Sequence, residues 1–224
     1  MIDLVVLDVN ETLFPLDPIA SRMAEVGLEG QLELWFARIL RDGIAAAAAD
    51  RFAGFRQLAA HHLHELLDDG APEARGRSVE HVLAGFGEVA PHPDVAPGLR
   101  RLQEEGIPAV ALTNGSAEVV RAFLERSGLT DLVAEVHDVS EIERWKPAPD
   151  AYRHVVAQHG VPTGRTAMIA VHPWDLLGAG AAGLVTAWLD RGGAGYPEVF
   201  GSPELRGTTL DELVDGLVEP GRWG

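Results

Sequence analysis

One carboxylate near the start of the chain directly follows a short apolar run. The run is Val5-Val6-Leu7, and Asp8 follows it. Because residues 4–7 show no polar alternation, they predict a strand that is buried on both faces. Asp8 would then lie at the carboxyl end of that strand, where open α/β sheets place their ligand sites. A carboxylate there can act as a nucleophile, although an Asp that only caps the next turn explains this stretch equally well.

Three later stretches carry polar residues at comparable places. Thr113-Asn114 follows the apolar run 109–112, Lys146-Pro147 lies in a proline-rich loop, and Asp175 comes shortly after the run 166–171. Each of these is a weak signal alone, since polar turns and exposed lysines are common. In a parallel sheet, however, the carboxyl ends of the strands share one edge. The order and spacing of these residues therefore predict one site at that edge.

The elements that position these residues alternate after a proline-rich boundary at 91–97. Short apolar runs predict strands, and helical periodicities lie between them. The predicted strands cover 109–112, 132–136, 166–171 and 184–189. This alternation predicts the α/β class, with a doubly wound parallel sheet that also includes the first strand. The predicted core domain comprises residues 1–13 and 93–224.

Residues 14–92 contain no strand-like run and predict an inserted helical cap domain. Apolar residues from Leu32 to Leu40 recur at helical spacing, and Gly43 is expected to interrupt that helix. A second helix is expected to begin at Ala45. The stretch 68–72 predicts a loop, and Ser78 is a candidate N-cap for a further helix.

Composition narrows the classes of function and partner. The chain of 224 residues has 34 acidic and 18 basic side chains, a formal net charge of -16, and no cysteine. An acidic surface repels nucleic acid and anionic membranes, so a small anionic substrate bound at a local cationic spot is the expected partner. Without cysteine there are no disulfides or thiolate metal sites. A cytoplasmic location is expected, because no secretory or membrane-spanning segment is apparent.

The motifs together resemble those of the haloacid dehalogenase superfamily. Residues 8–12 are similar to its first motif, Thr113-Asn114 to the second, Lys146-Pro147 to the third and Asp175 to the fourth. The resemblance covers essentially the whole chain, and the insertion corresponds to the cap of that family. It implies a Rossmann-like core of the type found in this superfamily. Within it the chain most resembles the type II 2-haloacid dehalogenases, through Leu34-Trp35, Thr113-Asn114-Gly115-Ser116, Lys146-Pro147 with Tyr152, and Trp174-Asp175.

The resemblance implies a catalytic set and a two-step displacement. Asp8 would attack C2 of a 2-haloacid and expel halide, and water would then hydrolyse the resulting ester to give a 2-hydroxy acid. Asp175 would orient or deprotonate that water, Lys146 would keep the carboxylates ionised, and Thr12 would hold Asp8. The expected substrate-binding residues are Asn10, Thr113, Asn114, Trp35, Phe36, Tyr152, His172 and Trp174. Packing is the favoured explanation for Trp35, Phe36 and Tyr152 because of their helical spacing, and it explains Trp174 as well as a place in the pocket wall does.

Departures from related families bear on the choice of chemistry. Phosphatases of the superfamily have an acid at the position of Asn10 and often another at Val171. An amide cannot deliver a proton to an alkoxide, and two carboxylates make a poor magnesium site, so we expect no required metal and no cofactor. Type II dehalogenases usually have an arginine at the position of Phe36 and often an asparagine at that of His172. The halide would then be held by Asn114, His172 and aromatic edges, or the pocket would take a different substrate.

Two other functions stay open on the sequence alone. One is a magnesium-dependent phosphatase or phosphonatase-like hydrolase, and the other is a binding protein without catalytic activity on the same scaffold. The exposed cap surface can also serve a homodimer.

Further patterns have simpler explanations than a second site. Adjacent histidines on a helix point to different faces, so His61, His62 and His64 are not expected to bind a metal. The run Gly178 to Gly183 fits a dinucleotide-binding pattern but does not directly follow a strand, and it indicates close packing between a helix and the sheet. Asp68 and Asp69 are expected on a solvated face.

Overall fold

A six-stranded parallel sheet forms the centre of the molecule. The structure, a computed structural model, describes residues 1–67, 71–193, 195–219 and 221–223. The strands lie in the order β3-β2-β1-β4-β5-β6, and every neighbouring pair is parallel. They are β1 (Leu4–Leu7), β2 (Ala109–Thr113), β3 (Glu135–Asp138), β4 (Thr166–Ala170), β5 (Val185–Leu189) and β6 (Leu205–Gly207). The predicted α/β class with a parallel sheet is confirmed.

Nine α-helices accompany the sheet in the described residues. The first four are α1 (Asp17–Glu25), α2 (Leu32–Ala48), α3 (Phe55–Leu66) and α4 (Pro72–Leu83), and they follow one another without an intervening strand. The others alternate with the later strands and are α5 (Val95–Glu104), α6 (Ala117–Arg126), α7 (Pro149–His159), α8 (Pro173–Ala182) and α9 (Leu210–Val218). None of the helices in the described stretches is long and apolar enough to cross a lipid bilayer.

The first strand is the innermost part of the sheet. β1 pairs with β2 on one side and with β4 on the other, and all four of its residues are completely buried. A strand with helices over both faces has no solvated side, which explains its unbroken apolar sequence. The carboxyl end of β1 therefore lies at the centre of the edge where ligand sites form.

The edge strands differ from the sequence prediction. The strand predicted over 132–136 begins only at Glu135, because Thr130–Leu132 forms a short 3-10 helix. The sequence analysis missed β6, since its three residues are too few to produce a detectable alternation. The glycine-rich run 178–183 does lie in a closely packed helix, but a Cβ at Gly178 would approach the carbonyl oxygen of Pro147 to 2.4 Å. Its tightest contact is therefore with the Lys146-Pro147 loop and not with the sheet.

The predicted interruption of the second helix at Gly43 is wrong. α2 runs through this residue and ends at Ala48, and Asp50 then takes a φ of 56°. The next helix begins at Phe55 and not at Ala45. Gly43 is needed for packing, because a Cβ on it would lie 2.5 Å from the indole ring of Trp145.

The predicted N-cap at Ser78 is also wrong. Ser78 lies inside α4, which begins at Pro72, where proline is well suited to the first turn of a helix. Residues 68–70 lie outside the described residues. Most of the loop predicted over 68–72 falls there, as does the solvated face assigned to Asp68 and Asp69. The boundaries predicted for the core and cap domains stay a prediction.

The contact between Gly43 and Trp145 gives a test of how α2 packs against the loop that carries Lys146 and Pro147. Gly43→Ala would force a methyl group into the indole ring and should lower the free energy of unfolding by about 1–3 kcal/mol. Gly76→Ala, in α4, is the matched control, because a Cβ there meets no atom within 4 Å. It should leave stability unchanged or raise it by up to about 1 kcal/mol. Urea denaturation measures both, and equal effects of the two changes would contradict this packing.

Candidate active site

Asp8 continues the first strand into a tight turn. Its backbone N–H donates to the carbonyl of Ile169 at 3.0 Å, and its side chain is almost fully buried. The turn brings Thr12 back over the carboxylate, and the Thr12 hydroxyl donates to Oδ2 of Asp8 at 2.7 Å. The same hydroxyl accepts the N–H of Val171 at 3.1 Å. Thr12 therefore fixes the carboxylate against the end of β4.

Lys146 lies between the two carboxylates. Its side chain is buried, and Nζ lies 2.7 Å from Oδ1 of Asp8 and 2.6 Å from Oδ2 of Asp175. The third ammonium hydrogen bond goes to the carbonyl of Leu112 at 3.0 Å. An ammonium group has three donors, and all three are satisfied by this arrangement. The buried charge is thus fully hydrogen bonded, which is the condition under which an interior ion pair is tolerated.

Asn114 and Trp145 position the backbone of Lys146. The Lys146 N–H donates to Oδ1 of Asn114 at 2.8 Å, and Nδ2 of Asn114 donates to the Lys146 carbonyl at 3.3 Å. Trp145 packs on Gly43, and its indole N–H donates to the carbonyl of Ala53 at 2.9 Å. Asn114, which was expected to hold the halide, therefore clamps the lysine loop and keeps one amide hydrogen for another acceptor.

Asp175 lies in the first turn of α8 and is completely buried. The Tyr152 hydroxyl contacts Oδ1 of Asp175 and also donates to its backbone carbonyl at 3.0 Å. Burial, with the charge of Asp175, raises the pKa of Tyr152 well above its usual value, so the hydroxyl keeps its proton. Tyr152 thus holds Asp175 from behind and does not face a substrate.

The two carboxylates have opposite pKa shifts. Burial works to raise the pKa of Asp8, but the charge of Lys146 and the contact with His172 outweigh it and hold that pKa below its ordinary range. Burial and the charge of Asp8 raise the pKa of Asp175 in spite of Lys146. Although burial opposes it, the charges of Asp175 and Asp8 raise the pKa of Lys146. Two carboxylates whose pKa values differ in this way are suited to different roles. Asp8 is the weaker base of the two and is fully ionised.

His172 adds a second positive charge to the site. Its Nδ1 lies 3.1 Å from Oδ2 of Asp8, and its Nε2 lies 2.9 Å from a carboxylate oxygen of Glu11. Although burial lowers the pKa of His172, the hydrogen bonds to Asp8 and Glu11 raise it to about 9. The ring is therefore an imidazolium at neutral pH, stacked on Trp174 with ring centroids 5.1 Å apart. Glu11, which the sequence analysis missed, reaches it from a turn with a φ of 62°.

Most of the predicted residues meet at one small cavity. The free space beside Asp8 is about 10 Å³, which is near the minimum for one water molecule. Its walls include Leu40 and Phe55, which the sequence did not indicate. Thr12, Tyr152 and Asp175 lie behind the walls. The lining residues are Asp8, Asn10, Phe36, Leu40, Phe55, Thr113, Asn114, Lys146, His172 and Trp174.

Trp35, like Tyr152, is a predicted substrate-binding residue that the structure does not bring to this cavity. It is completely buried between α2 and α3, and its indole N–H donates to the carbonyl of Ala59 at 2.9 Å. Trp35 therefore packs the two helices together. The next residue, Phe36, faces the cavity, and its ring centroid lies 6.2 Å from that of His172.

A larger apolar pocket adjoins the cavity. It has a volume of about 430 Å³ and shares the walls Asn10, Phe55 and Thr113 with the space beside Asp8. The remaining walls come mainly from the helical insertion and from α6. They are Phe14, Arg56, Leu83, Phe86, Gly115, Ser116, Glu118, Val119, Val120 and Ala122. No sequence pattern indicated this pocket, because its walls come from distant parts of the chain.

The residues present do not fit a magnesium ion between the two aspartates. Oδ1 of Asp8 and Oδ2 of Asp175 accept hydrogen bonds from Lys146, Oδ2 of Asp8 faces Thr12 and His172, and Oδ1 of Asp175 contacts Tyr152. A dication would have to displace these partners and lie beside two positive side chains. Magnesium also prefers six oxygen ligands in a regular octahedron. Asn10 and Val171 supply no further carboxylate.

Comparison with known proteins gives the same family as the motifs. A family model of haloacid dehalogenase-like hydrolases matches residues 2–183. The chain belongs to this family. This haloacid dehalogenase-like hydrolase is 25% identical to (S)-2-haloacid dehalogenase H-109 of Pseudomonas putida, over 96% of this chain and 97% of the relative. It is 31% identical to a phosphoserine phosphatase of Thermus thermophilus, over 91% of this chain and 80% of the relative.

A solved structure extends the likeness to the whole fold. The crystal structure of a dehalogenase with an intermediate complex superposes with a TM-score of 0.84 at 26% identity, over 95% of both chains. The predicted core with an inserted helical cap, and the predicted membership of the superfamily, are therefore confirmed. The chain is a hydrolase.

The contacts of His172 predict a pH-dependent stability. Because its pKa is raised from an ordinary value of 6.5 to about 9 in the folded state, its contribution is complete below about pH 6.5 and is lost as the pH rises through 9. The free energy of unfolding should fall by up to about 3 kcal/mol over this interval. His172→Gln should remove most of that decline.

His64→Gln is the matched control, because His64 is exposed on the helical insertion. Chemical denaturation between pH 6 and pH 10 measures the three proteins. If His172→Gln kept the full decline, the stabilising imidazolium would be the wrong explanation.

Proposed function

We propose that this hydrolase displaces halide from a 2-haloacid through an ester on Asp8 and releases a 2-hydroxy acid. The observation that supports this most strongly is the position of Lys146 between Asp8 and Asp175, 2.7 Å and 2.6 Å away. It keeps Asp8 ionised without a metal. A halide leaves as an anion and needs no proton, so the amide of Asn10 is compatible with this leaving group.

In the first step, a carboxylate oxygen of Asp8 attacks C2 of the substrate. The C2–halogen bond breaks as the C2–oxygen bond forms, and the halide departs with the bonding electrons. The Thr12 hydroxyl and Lys146 hold the carboxylate so that its orientation is set before the substrate arrives, which lowers the entropic barrier.

In the second step, water attacks the carbonyl carbon of the Asp8 ester. Asp175 accepts a proton from that water, a role that fits its raised pKa. Because Lys146 and Tyr152 hold its two oxygens, the water has to displace one of these contacts to reach it. Lys146 and Thr12 stabilise the negative charge on the tetrahedral intermediate. When the intermediate collapses, the alkoxide of the 2-hydroxy acid takes up the proton held by Asp175. Asp8 is left as a carboxylic acid, and it releases the second proton of the water to solvent and becomes a carboxylate again.

The substrate carboxylate and the halide bind to different parts of the site. Thr113 and neighbouring backbone N–H groups of the loop before α6 bind the carboxylate. The halide lies near the imidazolium of His172, with the free amide hydrogen of Asn114 and the edges of Phe36 and Trp174. A cationic ring thus takes the part that the missing arginine at position 36 would play.

The apolar pocket of about 430 Å³ beside the site accepts the side chain at C2 of the substrate. Because Phe55 lines both that pocket and the space beside Asp8, a longer substrate would contact its ring. Each additional methylene buried there should raise kcat/KM about fourfold over the shortest haloacid, until the pocket is full.

Ala122→Trp tests this use of the pocket. The larger side chain should fill the space and remove the gain in kcat/KM for 2-chlorohexanoate, while chloroacetate, which does not reach the pocket, serves as the internal control. Steady-state halide release measures both. A gain with chain length that survives in the variant would show that the C2 side chain binds elsewhere.

A phosphatase is the second candidate, because the Thermus relative is a phosphoserine phosphatase at 31% identity. The position of Asn10 beside Asp8 argues against it, since an amide cannot protonate an alkoxide leaving group. The cationic His172 also lies against Asp8, where a metal-dependent enzyme would place its ion.

Halide release in excess chelator distinguishes these functions. The native protein, given both enantiomers of several 2-haloacids, should release halide from at least one of them. Asp8→Asn should lower the rate by about 10⁴-fold or more, because the nucleophile is lost. Asp131→Asn, which removes an exposed carboxylate, is the control and should retain full activity.

Two results would reject the dehalogenase. Phosphate release that requires magnesium, without halide release, would identify a phosphatase. Ligand binding without turnover of either substrate class would identify a non-catalytic binding protein.

Four further expectations join this proposal. Residues 14–92 act as a cap domain over the core of 1–13 and 93–224, and the exposed cap surface serves a homodimer. With a formal net charge of -16, the protein avoids nucleic acid. It also acts in the cytoplasm.

A further inference from the structure

Three potential metal ligands converge at the edge of the sheet, two strands away from Asp8. Glu135 and His137 lie on the same face of the edge strand β3, and His159 is the last residue of α7. Nε2 of His137 lies 3.2 Å from Nε2 of His159. One carboxylate oxygen of Glu135 lies 3.3 Å from Nε2 of His159 and 3.5 Å from Nε2 of His137.

These three distances match the edges of a zinc coordination tetrahedron. Zinc binds histidine nitrogen and carboxylate oxygen at about 2.0–2.2 Å, which places neighbouring ligand atoms about 3.3–3.5 Å apart. The three atoms therefore lie where one ion could contact all of them without a change in backbone. A fourth position is left for water, since Glu135 is on the exposed side of the cluster.

The surroundings of His137 favour the same interpretation. Its Nδ1 lies 3.2 Å from both carboxylate oxygens of Glu141, and His137 is buried. A carboxylate only accepts hydrogen bonds, so Nδ1 carries the hydrogen and a neutral ring has its lone pair on Nε2, facing the cluster. A carboxylate behind a ligating histidine is the usual second partner of a zinc ligand.

We propose that Glu135, His137 and His159 form a binding site for one divalent cation of the zinc class. The cation would be structural, because the site is separate from the catalytic cavity. It would join β3 to the end of α7 and so close the segment 137–159, which carries Lys146. His137 also pairs with Leu112 in the sheet, and the Leu112 carbonyl accepts a hydrogen bond from Lys146.

A second histidine cluster, in the helical insertion, does not offer the same ligands. His61, His62 and Glu65 lie close together, but both ring nitrogens of His62 already face carboxylates. Nδ1 of His62 lies 2.8 Å from a carboxylate oxygen of Glu65, and Nε2 lies 2.9 Å from a carboxylate oxygen of Asp42. Nδ1 is hydrogen bonded to Glu65 within α3, Nε2 lies against the Asp42 carboxylate of α2, and His61 provides a matched control for the proposed site.

Titration of the chelator-stripped full-length protein with Zn²⁺ tests the proposal. The native protein and His61→Ala should each bind one equivalent, as measured by calorimetry and by metal analysis after dialysis. His159→Ala should lose this binding, and Glu141→Gln should weaken it by about 10- to 100-fold. Co²⁺ should give the visible absorption bands of a tetrahedral site in the native protein and not in His159→Ala.

The stability of the protein gives an independent measurement. Zn²⁺ should raise the Tm of the native protein but not that of His159→Ala, and the effect should disappear at low pH as the histidines are protonated. Equal binding by the native protein and His159→Ala, or binding lost in His61→Ala instead, would overturn the proposal. None of these readouts uses turnover, so the result is independent of the proposed dehalogenation.

Discussion

Lys146 holds a full positive charge in the interior of this protein, and the surrounding structure is arranged to satisfy it. Removing an ammonium group from water costs several kcal/mol, and only close carboxylates with good geometry offset that cost. Asp8 and Asp175 supply them from two neighbouring strand ends, and the Leu112 carbonyl takes the third hydrogen. The loop that presents the lysine is fixed in turn by Asn114 and by the packing of Trp145 on the helical insertion.

One cation between two carboxylates also divides their roles. Asp8 receives both Lys146 and His172 and stays ionised, whereas Asp175 is more deeply buried and feels the charge of Asp8. The proposed nucleophile and the proposed proton acceptor thus have the same type of side chain and differ through their surroundings alone. The imidazolium of His172 lies against Oδ2 of Asp8, so the cations of the protein itself balance the charge of that carboxylate in the proposed chemistry.

The sequence predicted the sheet and the main polar residues because their signals are local. An apolar run followed by Asp8, and a turn after the run 109–112, need no knowledge of distant contacts. The misassigned features depend on contacts between remote segments. Gly43 does not break its helix because the missing side chain makes room for Trp145, and Trp35 belongs to the packing of α2 on α3 and not to the site.

Residues missed altogether show the same limit. Glu11 belongs to the site only because a turn with positive φ aims it at His172, and no local pattern announces that contact. Glu135 and His137 are visible as alternate residues on one strand, but the position of His159 beside them depends on where α7 ends. Topology, and not composition, brings such groups together.

The most direct test of the account is to follow solvent oxygen into Asp8. Repeated turnover of a 2-haloacid in ¹⁸O-labelled water, followed by proteolysis and mass spectrometry, should place heavy oxygen in the peptide that contains Asp8. The label is expected because water attacks the carbonyl carbon of the aspartyl ester and leaves its oxygen on the side chain. Heavy oxygen found only in the 2-hydroxy acid, with Asp8 unlabelled, would mean that water attacks the substrate directly, and the central role given to Asp8 would be wrong.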